Sequence, residues 1–94
     1  MKAKLLFRKR EGLTETAFVE LVIWQVQDRV RGSLHVYKYS LALVSEGVCV
    51  LRYDNEAGKG DHKHIAGREV NYRFVDLATL QTDFWADVET WRTR

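Results

Sequence analysis

The 94-residue chain lacks proline, has a single cysteine and contains no long apolar stretch. One cysteine, Cys49, excludes a disulfide within the chain, and its position in an apolar run predicts a buried small side chain. No segment approaches the roughly 20 apolar residues that span a bilayer. The first ten residues also lack the apolar core of a signal peptide. We therefore expect a cytoplasmic protein without membrane contact.

The composition is that of a folded globular protein, with 46% hydrophobic and 30% charged residues. Because repeats and low-complexity linkers are missing as well as proline, we predict a single domain over residues 1–94. The net charge of +2 is unevenly spread, with a basic amino end and an acidic segment over 76–89. This asymmetry is compatible with nucleic-acid contact at one end and a basic partner at the other.

Alternating apolar and polar residues, separated by turn residues, predict a sheet of consecutive hairpins. The predicted strands are 4–9, Ala17–Val26, 34–44, Val48–Asp54 and 68–75. From Asp76 onward the apolar residues recur every three or four positions, which indicates an amphipathic helix with Asp76 as its N-cap. We predict an α+β fold, an antiparallel sheet of about five strands with a C-terminal amphipathic helix packed on one face. Phe84 and the three tryptophans are assigned to core or partner contacts.

The segment RYDNEAGKGDHKHI, residues 52–65, places a dense set of polar side chains directly after the fourth strand. Gly58 and Gly60 permit a tight or closely approached backbone, so that His62 and His64 return towards Asp54. If the two histidines lie in a strand, their rings project to one side, about 7 Å apart along the chain, and Lys63 projects to the other.

Two chemistries would use this set of residues. In the preferred one, which needs no cofactor or metal, His62 and His64 act as acid and base in RNA cleavage, since imidazole exchanges protons near neutrality. Asp54 would orient one imidazole. The remaining candidates would bind the substrate: Arg52, Tyr53, Asn55, Lys59, Lys63 and, as a further phosphate ligand, Arg68.

In the second chemistry the same histidines and Asp54 hold a divalent metal that activates water, with Asp61 or His35 as further ligands. A non-enzymatic surface that binds nucleic acid or protein is the third interpretation. The fourth is a hydrated hairpin, in which Asp54 and Asn55 cap a turn and the glycines set its shape. Spacing alone slightly favours the hydrated hairpin.

The segment 52–65, followed by YRFVDLATLQTDFWADVE, resembles the TumE-like family, the toxin components of toxin–antitoxin pairs. The strands VELVIWQV and HVYKYSLALV and the acidic terminal helix also follow the family's order. The resemblance implies a growth-inhibiting protein paired with a helix-turn-helix antitoxin. Its motif falls on Arg52, Tyr53, Asp54, Asn55, Gly58, Lys59, Gly60, Asp61, His62 and His64. RNA cleavage is added by analogy with other small toxins.

Self-association is a further expectation. An edge strand and exposed tryptophans in so small a domain can be covered by a second copy of the chain. The sequence therefore predicts a helix-turn-helix antitoxin, RNA and a homodimer partner as the contacts to test.

Overall fold

The computed structural model describes residues 3–55 and 59–94. Within these ranges the strands form one antiparallel sheet in chain order, and a helix follows them. The elements are β1 (Ala3–Gly12), β2 (Ala17–Val26), β3 (Tyr37–Ser45), β4 (Val48–Asp54), β5 (His62–Ile65), β6 (Arg68–Asn71) and α1 (Leu77–Arg92). The predicted α+β fold with its terminal helix is confirmed, with six strands rather than about five.

The additional strand is β5, which contains both histidines of the H-x-H pair. It turns into β6 through Ala66 and Gly67, whose φ angles are 53° and 77°. Positive φ at both central residues gives a two-residue hairpin whose twist matches that of the flanking strands. The predicted strand 68–75 accordingly shortens to β6, and the predicted strand 34–44 begins only at Tyr37.

The core lies between α1 and one face of the sheet. Alternate residues of β2, β3 and β4 point towards the helix, as period two requires. Each of these side chains is at most 3% exposed; they are Val19, Leu21, Ile23, Tyr39, Leu41, Leu43, Leu51 and Tyr53. They pack against Leu80, Phe84 and Val88 of α1, and Trp85 and Trp91 pack at the margin. The helix is therefore amphipathic and covers one face, as predicted.

Aspartates position α1 on the sheet. The Asp76 carboxylate caps the helix by accepting the Thr79 backbone N–H at 2.7 Å, and this hydrogen bond lowers the pKa of Asp76. Further along the helix, the Tyr53 hydroxyl donates to Asp87 and the Tyr72 hydroxyl donates to Asp83. These contacts tie β4 and the end of β6 to α1.

The opposite side of the sheet, which we call the open face, carries two polar rows. Partners in an antiparallel ladder project to the same side, so the register defines each row. One row consists of Arg8, Val22, Ser40, Asp54, His62 and Asn71. The other consists of Arg10, Glu20, Ala42, Arg52, His64 and Glu69. Four residues of the predicted polar segment, Arg52, Asp54, His62 and His64, thus lie on the face that α1 leaves uncovered.

Cys49 is exposed, so its predicted burial is wrong. It pairs with Val44 beside the turn through Glu46 and Gly47, where the ladder between β3 and β4 is irregular. Its neighbour Val48 is 59% exposed. An apolar run signals burial only where another layer covers it, and this end of the hairpin has little cover.

Candidate functional site

His62 is a buried histidine whose two ring nitrogens both have close oxygen neighbours. Its side chain is 3% exposed, and its Nε2 lies 2.6 Å from Asp54 Oδ1 across the β4–β5 ladder. Its Nδ1 lies 3.0 Å from the Gly60 carbonyl oxygen. Because a carbonyl oxygen only accepts hydrogen bonds, Nδ1 carries the proton in this contact. Nε2 therefore faces the Asp54 carboxylate.

His64 and Glu69 extend this pair towards solvent. The two imidazole rings are 5.2 Å apart between centroids, and Glu69 Oε2 lies 3.5 Å from His62 Nε2 and 4.0 Å from His64 Nε2. The side chains of His64 and Glu69 are 44% and 42% exposed. We call Asp54, His62, His64 and Glu69 the His–carboxylate cluster. It has a buried end and an accessible end.

Gly60 fixes the buried end of the cluster. Its φ is +76°, and a Cβ at this position would lie 2.8 Å from the Gly32 carbonyl oxygen. A side chain is therefore excluded both by conformation and by space. This close approach confirms the prediction for Gly60, whereas Gly58 lies outside the described residues.

Glu69 is the member of the cluster that sequence reasoning missed. It pairs with His64 because the turn at Ala66 and Gly67 sets the register between β5 and β6. The signal was present in the sequence, since counting outward from a two-residue turn pairs position 65 with 68 and position 64 with 69. The error was to treat 68–75 as a strand without assigning its partner.

A family model described as Toxin TumE matches residues 3–92. The chain belongs to the TumE family. No match was found among curated proteins or among solved structures. Membership makes the chain part of a toxin family, which implies an antitoxin partner. Among the residues that the structure describes, no helix has the length and apolar character needed to cross a membrane.

Two predicted substrate-binding cations of this TumE-family chain lie on the cluster side. Arg52 pairs with His64 in the ladder and is exposed. Lys59 Nζ lies 3.9 Å from Glu69 Oε2. Arg68 instead pairs with Ile65, so the register assigns it to the helix side of the sheet.

Tyr53 and Lys63 also face the helix. Tyr53 is 1% exposed, and Lys63 Nζ lies 3.1 Å from Asp87 Oδ2. This confirms that Lys63 projects to the opposite side from the two histidines. Burial, followed by the hydrogen bond to Asp87, raises the pKa of Tyr53 above its ordinary value. Both side chains are occupied in holding α1.

Asn55 is fully buried and bonded to the backbone. Its Oδ1 accepts the Tyr39 N–H at 3.0 Å, and its Nδ2 donates to the Tyr37 carbonyl at 2.6 Å. These bonds hold the chain leaving β4 against the start of β3. The structure therefore gives Asn55 a backbone-supporting role and no exposed surface for a substrate.

Asp61 and His35, the predicted additional metal ligands, form a separate network. Asp61 accepts hydrogen bonds from Ser33 Oγ, His35 Nε2 and the Tyr39 hydroxyl, the last two at 2.7 Å. His35 Nδ1 in turn accepts the Tyr37 N–H. The network joins the segment before β3 to the start of β5. Asp61 and His35 therefore bind to each other and not to the His–carboxylate cluster.

A groove of about 600 Å³ lies between the segment before β3 and the residues that follow β6. Its lining includes Lys59, Asn71 and Arg73 together with His35 and Phe74, whose rings stack at 3.8 Å. Asn71 is the ladder partner of His62. His35 and Phe74 stack on Tyr39, which faces the helix, and Asp61 also lines the groove, so Lys59 and Asn71 are the lining residues nearest the cluster.

Proposed function

We propose that this TumE-family toxin cleaves RNA at the His–carboxylate cluster. The observation that carries the proposal is the convergence of two imidazoles and two carboxylates at an accessible point of the open face. The neighbouring cations Arg52 and Lys59 would contact the phosphate backbone. A hydrated hairpin would not require a buried His62 joined to Asp54.

The burial of the two histidines assigns them different roles. His62 is nearly inaccessible and contacts an oxygen at each nitrogen, so it positions the site rather than exchanging a proton with RNA. His64 is accessible and would lie next to the scissile phosphodiester. This asymmetry argues against a symmetric pair of histidines that act as acid and base.

The groove is linked to the cluster through Lys59, which lines the groove and lies 3.9 Å from Glu69, and this link favours RNA as the substrate. The stacked pair His35 and Phe74 offers an aromatic edge for a base, and Arg73 and Lys59 offer charge for the phosphates. Protein recognition of single-stranded RNA commonly combines these two features. A purely electrostatic surface would have no use for the buried His62.

The direct test is inducible expression of the wild-type chain and of His64→Ala, followed by growth and RNA integrity. We expect the wild type to arrest growth and degrade RNA, and His64→Ala to lose both while remaining folded by circular dichroism. A folded His64→Ala that stays fully toxic would overturn the proposed site. Toxicity with intact RNA, together with salt-sensitive RNA binding, would instead indicate the non-enzymatic binding module.

A matched pair of arginine variants tests the substrate surface. Arg52→Ala should weaken RNA binding by about tenfold, a typical loss for a charge-assisted contact. Arg68→Ala, which removes the same charge from the helix side, should leave RNA binding unchanged. Equal losses in the two folded variants would contradict an RNA path across the open face.

The antitoxin is proposed to be a helix-turn-helix protein encoded by a neighbouring gene, as the family resemblance implies. Co-expression of the neighbouring reading frame should restore growth. A neighbour of another fold that restores growth would keep the toxin assignment and overturn the proposed type of partner.

A further inference from the structure

We propose that the His–carboxylate cluster is a binding site for one divalent transition-metal ion of the Zn²⁺ class. The potential ligand atoms are the Nε2 atoms of His62 and His64 and a carboxylate oxygen of Glu69, which lie within 4.8 Å of one another. Asp54 supplies a fourth. Metal binding is a separate property from RNA cleavage, and it is measurable without any RNA.

The distances fit a site that closes around an ion. Zinc ligands lie about 2.0–2.2 Å from the metal, so tetrahedral ligand atoms are roughly 3.4 Å apart. The separations of Glu69 Oε2 from the two histidine nitrogens are 3.5 and 4.0 Å. Glu69 and His64 are exposed enough to adjust by small rotations, whereas His62 is held in place.

The second contact of His62 is the one expected of a metal ligand. Histidines that bind metals usually donate their other ring N–H to a carbonyl or carboxylate, which fixes the tautomer. His62 Nδ1 makes this contact with the Gly60 carbonyl. The backbone of Gly60 in turn packs closely against the Gly32 carbonyl. The Nε2 lone pair is therefore directed at the centre of the cluster before any ion binds.

Asp54 supplies an independent indication that a cation belongs there. Its Oδ1 is buried and has no hydrogen-bond donor among the residues that the structure describes, although His62 Nε2 is only 2.6 Å away. With the proton on Nδ1, a lone pair would face a carboxylate oxygen at this distance. Two acceptors so close need a shared proton, or they must move apart around a cation that binds both. A metal ion would satisfy both groups.

The donor set selects the class of metal. Two imidazole nitrogens with carboxylate oxygens suit Zn²⁺ and neighbouring first-row ions, whereas Mg²⁺ and Ca²⁺ prefer sites made of oxygen alone. The exposed side of His64 and Glu69 leaves room for a water molecule. If RNA cleavage holds, an ion here would supply the activated water of that reaction.

The experiment measures Zn²⁺ binding to the purified full chain after chelator treatment, by calorimetry and by metal analysis. We expect one equivalent of Zn²⁺, a rise in melting temperature on binding, and a tetrahedral spectrum when Co²⁺ is used instead. Glu69→Gln and His64→Ala should each lower the affinity by about tenfold or more. Both side chains are half-exposed, so both variants should fold.

Glu20→Gln is the matched control, because Glu20 lies in the same open-face row as His64 and Glu69 but three strands away from His64. It should bind Zn²⁺ like the wild type. No binding by the wild type, or equal affinities for Glu69→Gln and Glu20→Gln, would overturn the metal site. Without any binding, a shared proton would account for the close contact of His62 and Asp54. RNA cleavage that persists in chelator would then still support the proposed function, whereas Zn²⁺ binding without cleavage would contradict only that function.

Discussion

Single polar residues determine how the chain is held around the cluster. Asn55 and Asp61 both lie next to the His–carboxylate cluster in sequence. The side chains of both form hydrogen bonds to other residues of the protein. Buried amide and carboxylate groups are costly unless they are paired. Their positions in a polar motif therefore reflect the support of the site, and Asp54, His62, His64 and Glu69 remain as its reactive groups.

The Asn55→Ala substitution should lower the free energy of unfolding by about 2–4 kcal/mol, because it leaves a backbone donor at Tyr39 and an acceptor at Tyr37 without partners. Asn71→Ala is the control, since Asn71 is the other asparagine of the chain and is exposed. It should change stability by less than about 0.5 kcal/mol. Urea denaturation of the two variants provides the measurement, and similar midpoints would show that the buried amide contributes little.

At the scale of elements, α1 is the only second layer that the described part of the chain provides. Phe84 is fully buried at its centre and meets the ring of Tyr53 edge to face at 5.8 Å. Tyr72 and Tyr53 anchor the helix through Asp83 and Asp87. The same helix that buries the core thereby fixes β4 and the end of β6, between which the cluster is built.

Phe84→Ala should reduce the free energy of unfolding by about 3–5 kcal/mol, through lost apolar burial and the cavity left behind. Small domains have only about 5–15 kcal/mol of stability in total, so this variant should be largely destabilised. Thr82→Ala, at an exposed position of the same helix, should stay within about 0.5 kcal/mol of the wild type. Thermal unfolding followed by circular dichroism distinguishes the two, and equal melting temperatures would contradict the packing of α1 on the sheet.

At the scale of the whole molecule, the sheet separates two kinds of surface. The helix side contains three tyrosine hydroxyls bonded to aspartates, whereas the open face contains the polar rows. Burial, followed by these hydrogen bonds, raises the pKa values of Tyr39, Tyr53 and Tyr72 above the ordinary 10.0. The neutral phenols therefore contribute to the stability of the fold.

These raised pKa values predict how stability responds to alkali. A group with a higher pKa in the folded state stabilises it fully below the unfolded pKa, and that contribution is lost as the pH rises above it. Stability should therefore fall above about pH 10, with tyrosinate absorbance appearing together with unfolding. In Tyr53→Phe the tyrosinate absorbance that appears only on unfolding should be smaller, because one of the three tyrosines with a raised pKa is missing. Ionisation of all tyrosines near pH 10 in the folded protein would contradict the prediction.

The local pattern of the sequence was sufficient for the helix and for five of the six strands, although not for all of their bounds. Period two in Ala17–Val26 and Val48–Asp54 and the change of period after residue 75 predicted strands and helix, because side-chain direction depends only on backbone geometry. The turn at Gly67 and the helix cap at Asp76 were also predicted from residues that are neighbours in the sequence. Even the opposite directions of Lys63 and the two histidines followed from the pleat of a strand.

Tertiary structure decided which of these side chains meet. What packs against a residue decided the exposure of Cys49 and the hydrogen bond of Asp61 to His35. It also decided that Asn55 supports the backbone. The pairing of His64 with Glu69 depends on the register of β5 and β6, and the pairing of Asp54 with His62 on the next ladder. The sequence by itself determined five of the strands, the helix and the return of the candidate histidines towards Asp54. Only the assembled sheet showed that His62 is the histidine that meets Asp54 and added Glu69 to the cluster, because contacts between strands are set by pairing across the sheet and not by order along the chain.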